Sequence, residues 1–581
     1  MDGQINVTEK KEVEEEFSLK KLFVPLTTTK AVHWIITIGI FVFFNSLFNG
    51  FVGDDEGQIT GAALVHSLSN IPIIFHSVLQ MGTNQGGTYY KPVTYTIITI
   101  LYSFFGNSAF FYHLTQVTLH IANSILVYFL LKKYIRNTVA FFLSLTFLVH
   151  PINSETVSYL ADLQDVLFMF FGLLALHLIA VKKQMLVKAS LVILMLLASV
   201  LSKETGILFF IVIPLYSWLF LSKERLTIFI STGISFLVYL LLRFSSTLLT
   251  SSGLYPSAIS QLNFPQRLLS IPKIVFFYLH LFIFPNSLAI GWNWVVERAT
   301  FADFYLPLLF DCLFLLLLVF FILFLHRKKN ASMKIYTFFA VWFILGLTMH
   351  LQIIPLDFTV ADRWFYFPLV GLLGMIGIAI NQIRFSDKKL KVIAISAACL
   401  LIFILGIRTI IRNANFHDDI TLYSHDLKII PDNSVLENGL GVAYFHGGNI
   451  SAAKQHYERS IKLDVHSESW NNLGVIYVQE RELKKAKVCF QQSVAQSGFE
   501  LGYENLAQYN LLYDTPQSAK TIALQGLAKY PDKPVLWFIL AQAEYKLGNK
   551  SVALTDAQKS FELSPSENIY QFINEVNREI K

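Results

Sequence analysis

Between about residues 31 and 408, one long apolar segment follows another with only short polar gaps. From Pro431 onward the apolar residues come in spaced, helix-periodic patterns instead. That change of pattern predicts an all-α chain: a polytopic helical membrane domain followed by a soluble C-terminal domain. Composition agrees. Of 581 residues, 54% are hydrophobic, 15% are charged and 52 are phenylalanine, and the mean hydropathy is +0.51. Globular chains are usually nearer about 25% charged. The net charge of +6 comes largely from basic residues in short gaps between apolar runs, which argues against a nucleic-acid partner. Cys312, Cys399 and Cys489 form neither a disulfide framework nor a zinc pattern. Residues 1–30 are too long and too acidic for the basic start of a signal peptide. They read as a cytoplasmic tail, and the first apolar run as a retained span.

The candidate spans are 31–48, 109–131, 138–149, 157–180, 186–200, 206–220, 226–242, 305–325, 335–354, 365–380 and 392–407. Two more runs, 92–105 and 271–284, either cross or lie along the surface. If the N-terminus is cytoplasmic and neither run crosses, the basic gaps all fall on the cytoplasmic side. Those gaps hold Lys132-Lys133, Lys182-Lys183, Lys223 with Arg225, Arg327-Lys328-Lys329, and Arg384 with Lys388-Lys389. The result is a membrane domain over 31–408 with about eleven spans and an extracytoplasmic C-terminal domain. The same arrangement puts four polar stretches outside: Asp54-Asp55-Glu56, residues 150–165, Ser202-Lys203-Glu204, and residues 357–363. A cleft between spans on that face is the natural place for a site.

After a linker at 409–434, the chain repeats. Leu440-Gly441, Leu473-Gly474, Leu506-Ala507 and Leu540-Ala541 are spaced by 33 or 34. Each small residue is followed twelve positions later by an alanine: Ala453, Ala486, Ala519 and Ala553. This is the tetratricopeptide pattern, in which small residues let two helices approach closely, and four units over 435–567 stack into an array with a concave face. Residues 568–581 form a closing helix or tail. Asn438, Asn471, Asn472 and Asn505 recur just before the small residues. They either line the concave groove and bind a peptide backbone or sit solvated on the helix surface.

Adjacent carboxylates near lipid are costly, so Asp54 and Asp55 call for a reason. The plain alternative is a solvated cap. The functional one is a general base that takes a proton from an acceptor hydroxyl. His150, Pro151 and Glu155 mark a turn between helices or contact a substrate. Lys203 and Glu204 form a hairpin ion pair if exposed; inside a cleft, Lys203 is a phosphate-binding charge. Asp362 and Tyr366 flank Arg363 and Trp364 at the start of a span. The Arg363 fork suits a lipid-linked phosphate, against the alternative of snorkelling and aromatic anchoring.

Several ordered motifs carry a resemblance. They are Phe51-Val52-Gly53-Asp54-Asp55, Tyr90-Lys91-Pro92-Val93, Tyr112-His113-Leu114, His120-Ile121-Ala122-Asn123, His150-Pro151-Ile152-Asn153-Ser154-Glu155, Leu201-Ser202-Lys203-Glu204 and Asp362-Arg363-Trp364-Phe365-Tyr366. From about Phe51 to the end, the chain resembles the membrane and tetratricopeptide-repeat O-mannosyltransferases, relatives of the GT-C glycosyltransferases. The resemblance implies an inverting enzyme that moves a sugar, mannose first, from a polyprenyl or dolichyl phosphate to Ser or Thr of a protein held by the repeats. Asp54 is then the base with Asp55 beside it, and Arg363 and Lys203 hold the donor phosphate. No metal is needed, because a lipid phosphate is already a fair leaving group. The membrane is a bacterial inner membrane or an endoplasmic reticulum. One departure stands out: Leu163 replaces an arginine the family often carries. The alternatives are a non-catalytic membrane-anchored repeat scaffold and a lipid-linked sugar transporter.

Overall fold

The apolar runs become helices, and among the described residues the only β pairing is one bridge between Trp292 and Val360. The structure is a computed structural model that describes residues 25–76, 89–247, 257–383, 387–464, 467–497 and 499–580. Arg384 and most of the N-terminal tail lie outside the described residues. Among the described residues, eight helices are long and apolar enough to cross a membrane: Ala109–Lys132, Leu160–Leu178, Met185–Ser202, Arg225–Ser246, Phe264–Ile283, Phe301–Arg327, Asp362–Gln382 and Lys388–Ala414. Five shorter apolar helices accompany them: Thr28–Phe43, Pro92–Phe105, Asn137–Val149, Glu204–Phe220 and Ser332–Thr348. The chain is a multi-pass membrane protein with a helical repeat array at its C-terminus.

Side-chain contacts sort the helix ends into two groups. At one end, the Lys132 Nζ bonds Thr28, and Asn137 donates to the Leu26 carbonyl at 2.7 Å. Arg136 donates to the carbonyls of Ile380 and Ile383, each at 2.9 Å, and Asn330 to Gln382 at 2.7 Å. At the other end, Gly50 donates to the His417 carbonyl at 2.9 Å, and Asn49 to the Asn413 carbonyl at 2.9 Å. Asp54 lies at this second end.

The two ambiguous runs both start and finish at the Asp54 end. Lys91, just before Pro92–Phe105, donates to Gln58 at 3.2 Å. Past that helix, the Gly106 carbonyl accepts from Tyr112, which packs on Phe51. Arg267, before Ile271–Ile283, donates to the Gln352 carbonyl at 3.0 Å, and the Phe282 carbonyl near its end bonds His150 at 2.9 Å. Phe264–Ile283 is therefore long and apolar enough to cross, yet both its ends are tied to one side of the bundle. Exposed Phe104 and Phe284 fit helices lying in an interface.

The array consists of antiparallel pairs: Ser434–His446 with Ile450–Leu463, Ser467–Gln479 with Leu483–Ser497, Glu500–Tyr513 with Pro516–Lys529, and Pro534–Lys546 with Lys550–Leu563, closed by Glu567–Ile580. The small residues are where helices touch. A Cβ on Gly441 would meet the Tyr457 ring at 2.6 Å, and one on Gly474 the Phe490 ring at 2.6 Å. Ala453, Ala486, Ala519 and Ala553 are fully buried.

Candidate active site

The helix Thr28–Phe43 runs into a tight turn over Asn45–Phe48. The chain then becomes extended at Asn49 and reverses at Gly53, whose φ of +53° favours glycine. That reversal throws the two neighbouring carboxylates into different surroundings. Asp55 is buried. One of its oxygens accepts from the Val52 N–H at 3.1 Å and the Leu160 N–H at 3.4 Å, and the other from the Ala161 N–H at 2.5 Å. Asp54 is exposed to water although dense protein surrounds it, the combination expected at the floor of a cleft. Its backbone N–H donates to the Tyr159 hydroxyl at 2.9 Å. Desolvation pushes the Asp54 carboxyl above the usual range, while the positive charges of Arg363 and Lys91 pull it back.

Two cations, Arg363 and Lys91, act on this carboxylate, and a third, Lys203, stands near Lys91. Arg363 pairs with Glu155 through its guanidinium, donates its backbone N–H to the same carboxylate at 2.9 Å, and reaches Asp162 at 3.4 Å. The Lys203 ammonium bridges both oxygens of Asp165, at 2.8 and 2.7 Å. It pairs with that helix-start aspartate rather than with Glu204, so of the two arrangements open from sequence the hairpin ion pair is not the one formed. Glu204 instead meets Arg243 at 3.2 Å. Lys91 interacts electrostatically with Asp54, Asp162, Asp165 and Lys203 together, and burial lowers its pKa to about 8. Arg363 and Lys203 keep 15% and 17% of their side chains exposed, so each has donors left beyond its partner. All four polar stretches thus meet at one end of the bundle. Asp357, held by the Tyr89 hydroxyl at 2.7 Å, joins them by acting on Asp54.

The other sequence candidates lie deeper. His150 is buried with both ring nitrogens engaged, one by the Phe282 carbonyl and one by the Ile152 N–H at 3.2 Å; burial lowers its pKa to about 4. The Tyr366 hydroxyl is buried against His120 at 2.8 Å and Asn123 at 3.1 Å. Asp362 is buried beside Arg363, and its Oδ1 has no hydrogen-bond partner among the described residues. In the repeats, the Asn472 amide donates to Asn438 at 3.3 Å and the Asn505 amide to Asn471 at 2.8 Å. Asn438 and Asn471 are themselves buried, so the asparagines form a ladder between neighbouring units. Among the described residues, no three His, Cys, Asp or Glu side chains stand together as a metal site.

Sequence reasoning did not single out Lys91, Tyr159, Asp162 and Asp165 as site residues. Asp162 and Asp165 are three apart at a helix start, a spacing that places both on one face.

A model of the tetratricopeptide repeat matches residues 467–497. Protein O-mannosyl-transferase F38B6.6 of Caenorhabditis elegans is 23% identical over 446 residues, covering 74% of this chain and 62% of that protein. Protein O-mannosyl-transferase TMTC3 of Homo sapiens is 21% identical, covering 94% of this chain and 69% of its own length. The chain is a distant relative of both. It spans less than two thirds of the nematode protein. The crystal structure of ArnT from Cupriavidus metallidurans in the apo state aligns with 84% of this chain and 81% of its own, at 13% identity and a TM-score of 0.38.

Proposed function

We propose that this chain is an inverting glycosyltransferase of the GT-C type. It moves a sugar, mannose first, from a polyprenyl or dolichyl phosphate to Ser or Thr hydroxyls of a protein on the extracytoplasmic face. The observation that carries this reading is a water-exposed Asp54 facing Lys91 and Arg363, with Lys203 beside Lys91. Asp54 takes the proton of the acceptor hydroxyl. The hydroxyl oxygen bonds to the anomeric carbon from the face opposite the phosphate, and the bond to the phosphate oxygen breaks with its electron pair. Negative charge grows on the departing lipid phosphate, where the spare donors of Arg363, Lys203 and Lys91 stabilise it. The carboxylates of Glu155, Asp162 and Asp165 keep the cations aimed. Asp55 supports the loop and takes no proton, because its oxygens already hold three N–H groups.

The same reading places the N-terminus in the cytoplasm and the repeats outside. Two helices that begin and end at the Asp54 end support eleven crossings, an odd number that separates the termini. The acceptor protein is presented by the repeat array. Reconstituted protein given lipid-phosphate mannose and an acceptor peptide tests the reaction. Asp54→Asn is expected to lower turnover by about 10²–10⁴-fold, and unchanged turnover would rule Asp54 out as the base.

A further inference from the structure

We infer that the short helix Asp419–Ile429, which leads from the last span into the repeats, straps the Asp54 loop in place, with Asp419 as a positioning residue and Tyr423 as its link to the first repeat.

Three contacts carry this. The Gly53 N–H, one residue before Asp54, donates to the Asp419 carboxylate at 2.7 Å. The Gly50 N–H donates to the His417 carbonyl at 2.9 Å. Tyr423 touches both sides at once: its hydroxyl lies 3.0 Å from where a Cβ on Gly53 would sit, and its ring 2.9 Å from where one on Gly439 would sit. Gly439 belongs to Ser434–His446, the first helix of the array. The junction also has its own small apolar core, in which Val52, Tyr159 and Ala161 pack with Phe416, Leu422 and Leu436.

These contacts have a definite direction. Gly53 takes a left-handed turn that fixes where the next side chain points, so its N–H bond to Asp419 sets the aim of Asp54. Arg412 and Asp426 anchor the strap at its other end. They pair at 2.7 and 3.2 Å while fully buried, and Asp426 also accepts from the Ile290 N–H at 2.8 Å. Asn433 then ties the start of the first repeat helix to the Gly291 carbonyl at 2.8 Å. A shift of the first repeat helix therefore reaches the Asp54 loop through the Tyr423 ring and through the apolar core that joins Leu436 to Val52.

Only the kinetic side of this inference rests on Asp54 being the base. Hydrogen exchange tests the geometric side in the full-length protein. Asp419→Ala is expected to speed exchange of the amides at 50–57 by about tenfold or more, whereas Asp419→Asn, which keeps an acceptor oxygen, stays near the parent. Gly439→Ala adds one methyl within the repeats and should speed the same amides by pushing the Tyr423 ring. Exchange over 467–580 serves as the folding control and should not change. With lipid-phosphate mannose, Asp419→Ala should lower kcat by about tenfold or more with KM within about twofold, and Asp419→Asn should recover most of the loss. Unchanged exchange at 50–57 in both Asp419→Ala and Gly439→Ala would overturn the strap. Faster exchange with unaltered kcat would overturn the positioning role. A parent protein that turns over no donor would refute the base while exchange still decides the strap.

Discussion

Positions 54 and 55 carry the same functional group on adjacent residues, yet one meets water and two cations while the other meets three backbone N–H groups. The residues alone marked the pair and only the resemblance singled out Asp54, because two of the three donors that hold Asp55, the N–H groups of Leu160 and Ala161, come from about a hundred positions away. Replacing Asp55 with alanine should unfold the turn at a cost of about 2–3 kcal/mol, since three buried N–H groups lose their acceptor; thermal melting of the solubilised protein reads this. Asp54→Asn should leave melting near the parent. The pH profile follows from the same charges. Asp54 is held above the usual carboxylate range, so turnover should rise with pH through a value higher than an exposed aspartate gives. Lys91 is a cation below about pH 8 and neutral above it, so the alkaline side should fall near there. Lys91→Met removes a charge that favours ionised Asp54, and should therefore move the acid limb to higher pH and abolish the limb near 8. A profile unmoved by Lys91→Met would separate the two residues. Asp162 and Asp165 were hidden for a similar reason: their partners Arg363 and Lys203 sit on distant segments of the chain, and spacing along a chain does not report them.

At the scale of elements, periodicity located the repeats well because small residues recur where paired helices meet, as Gly441 meets the Tyr457 ring and Gly474 the Phe490 ring. It said less about the asparagines. A recurring polar residue looks the same from sequence whether it faces a ligand or the next repeat, and here the amides pair across units. The turns within repeats differ in a way that can be tested. Gly448 and Gly548 take φ of +78° and +86°, whereas Arg481 takes +60° between Ser467–Gln479 and Leu483–Ser497. A side chain pays a steric penalty there that glycine avoids. Arg481→Gly should stabilise the array by up to about 1 kcal/mol, seen as a higher denaturant midpoint for the repeats; a lower midpoint would mean that the arginine makes a compensating contact.

For the whole molecule, hydropathy gave the class of architecture, but length alone misjudges Phe264–Ile283, whose two ends share one side of the bundle. Labelling single cysteines in a cysteine-free background checks this arrangement. Probes at Glu56, Asn107 and Asn286 should react from one side of the membrane, and a probe at Lys183 from the other. Reaction of Asn107 from the side opposite Glu56 would show that Pro92–Phe105 crosses. The hydrogen bond between Gly53 and Asp419 joins residues 366 positions apart. A ribosome makes the Asp54 loop early and its partner late. A nascent chain that stops at the last span therefore carries every charged group of the cleft without the brace that aims its acid, and the site is finished only when the segment beyond residue 414 has been delivered to the same side.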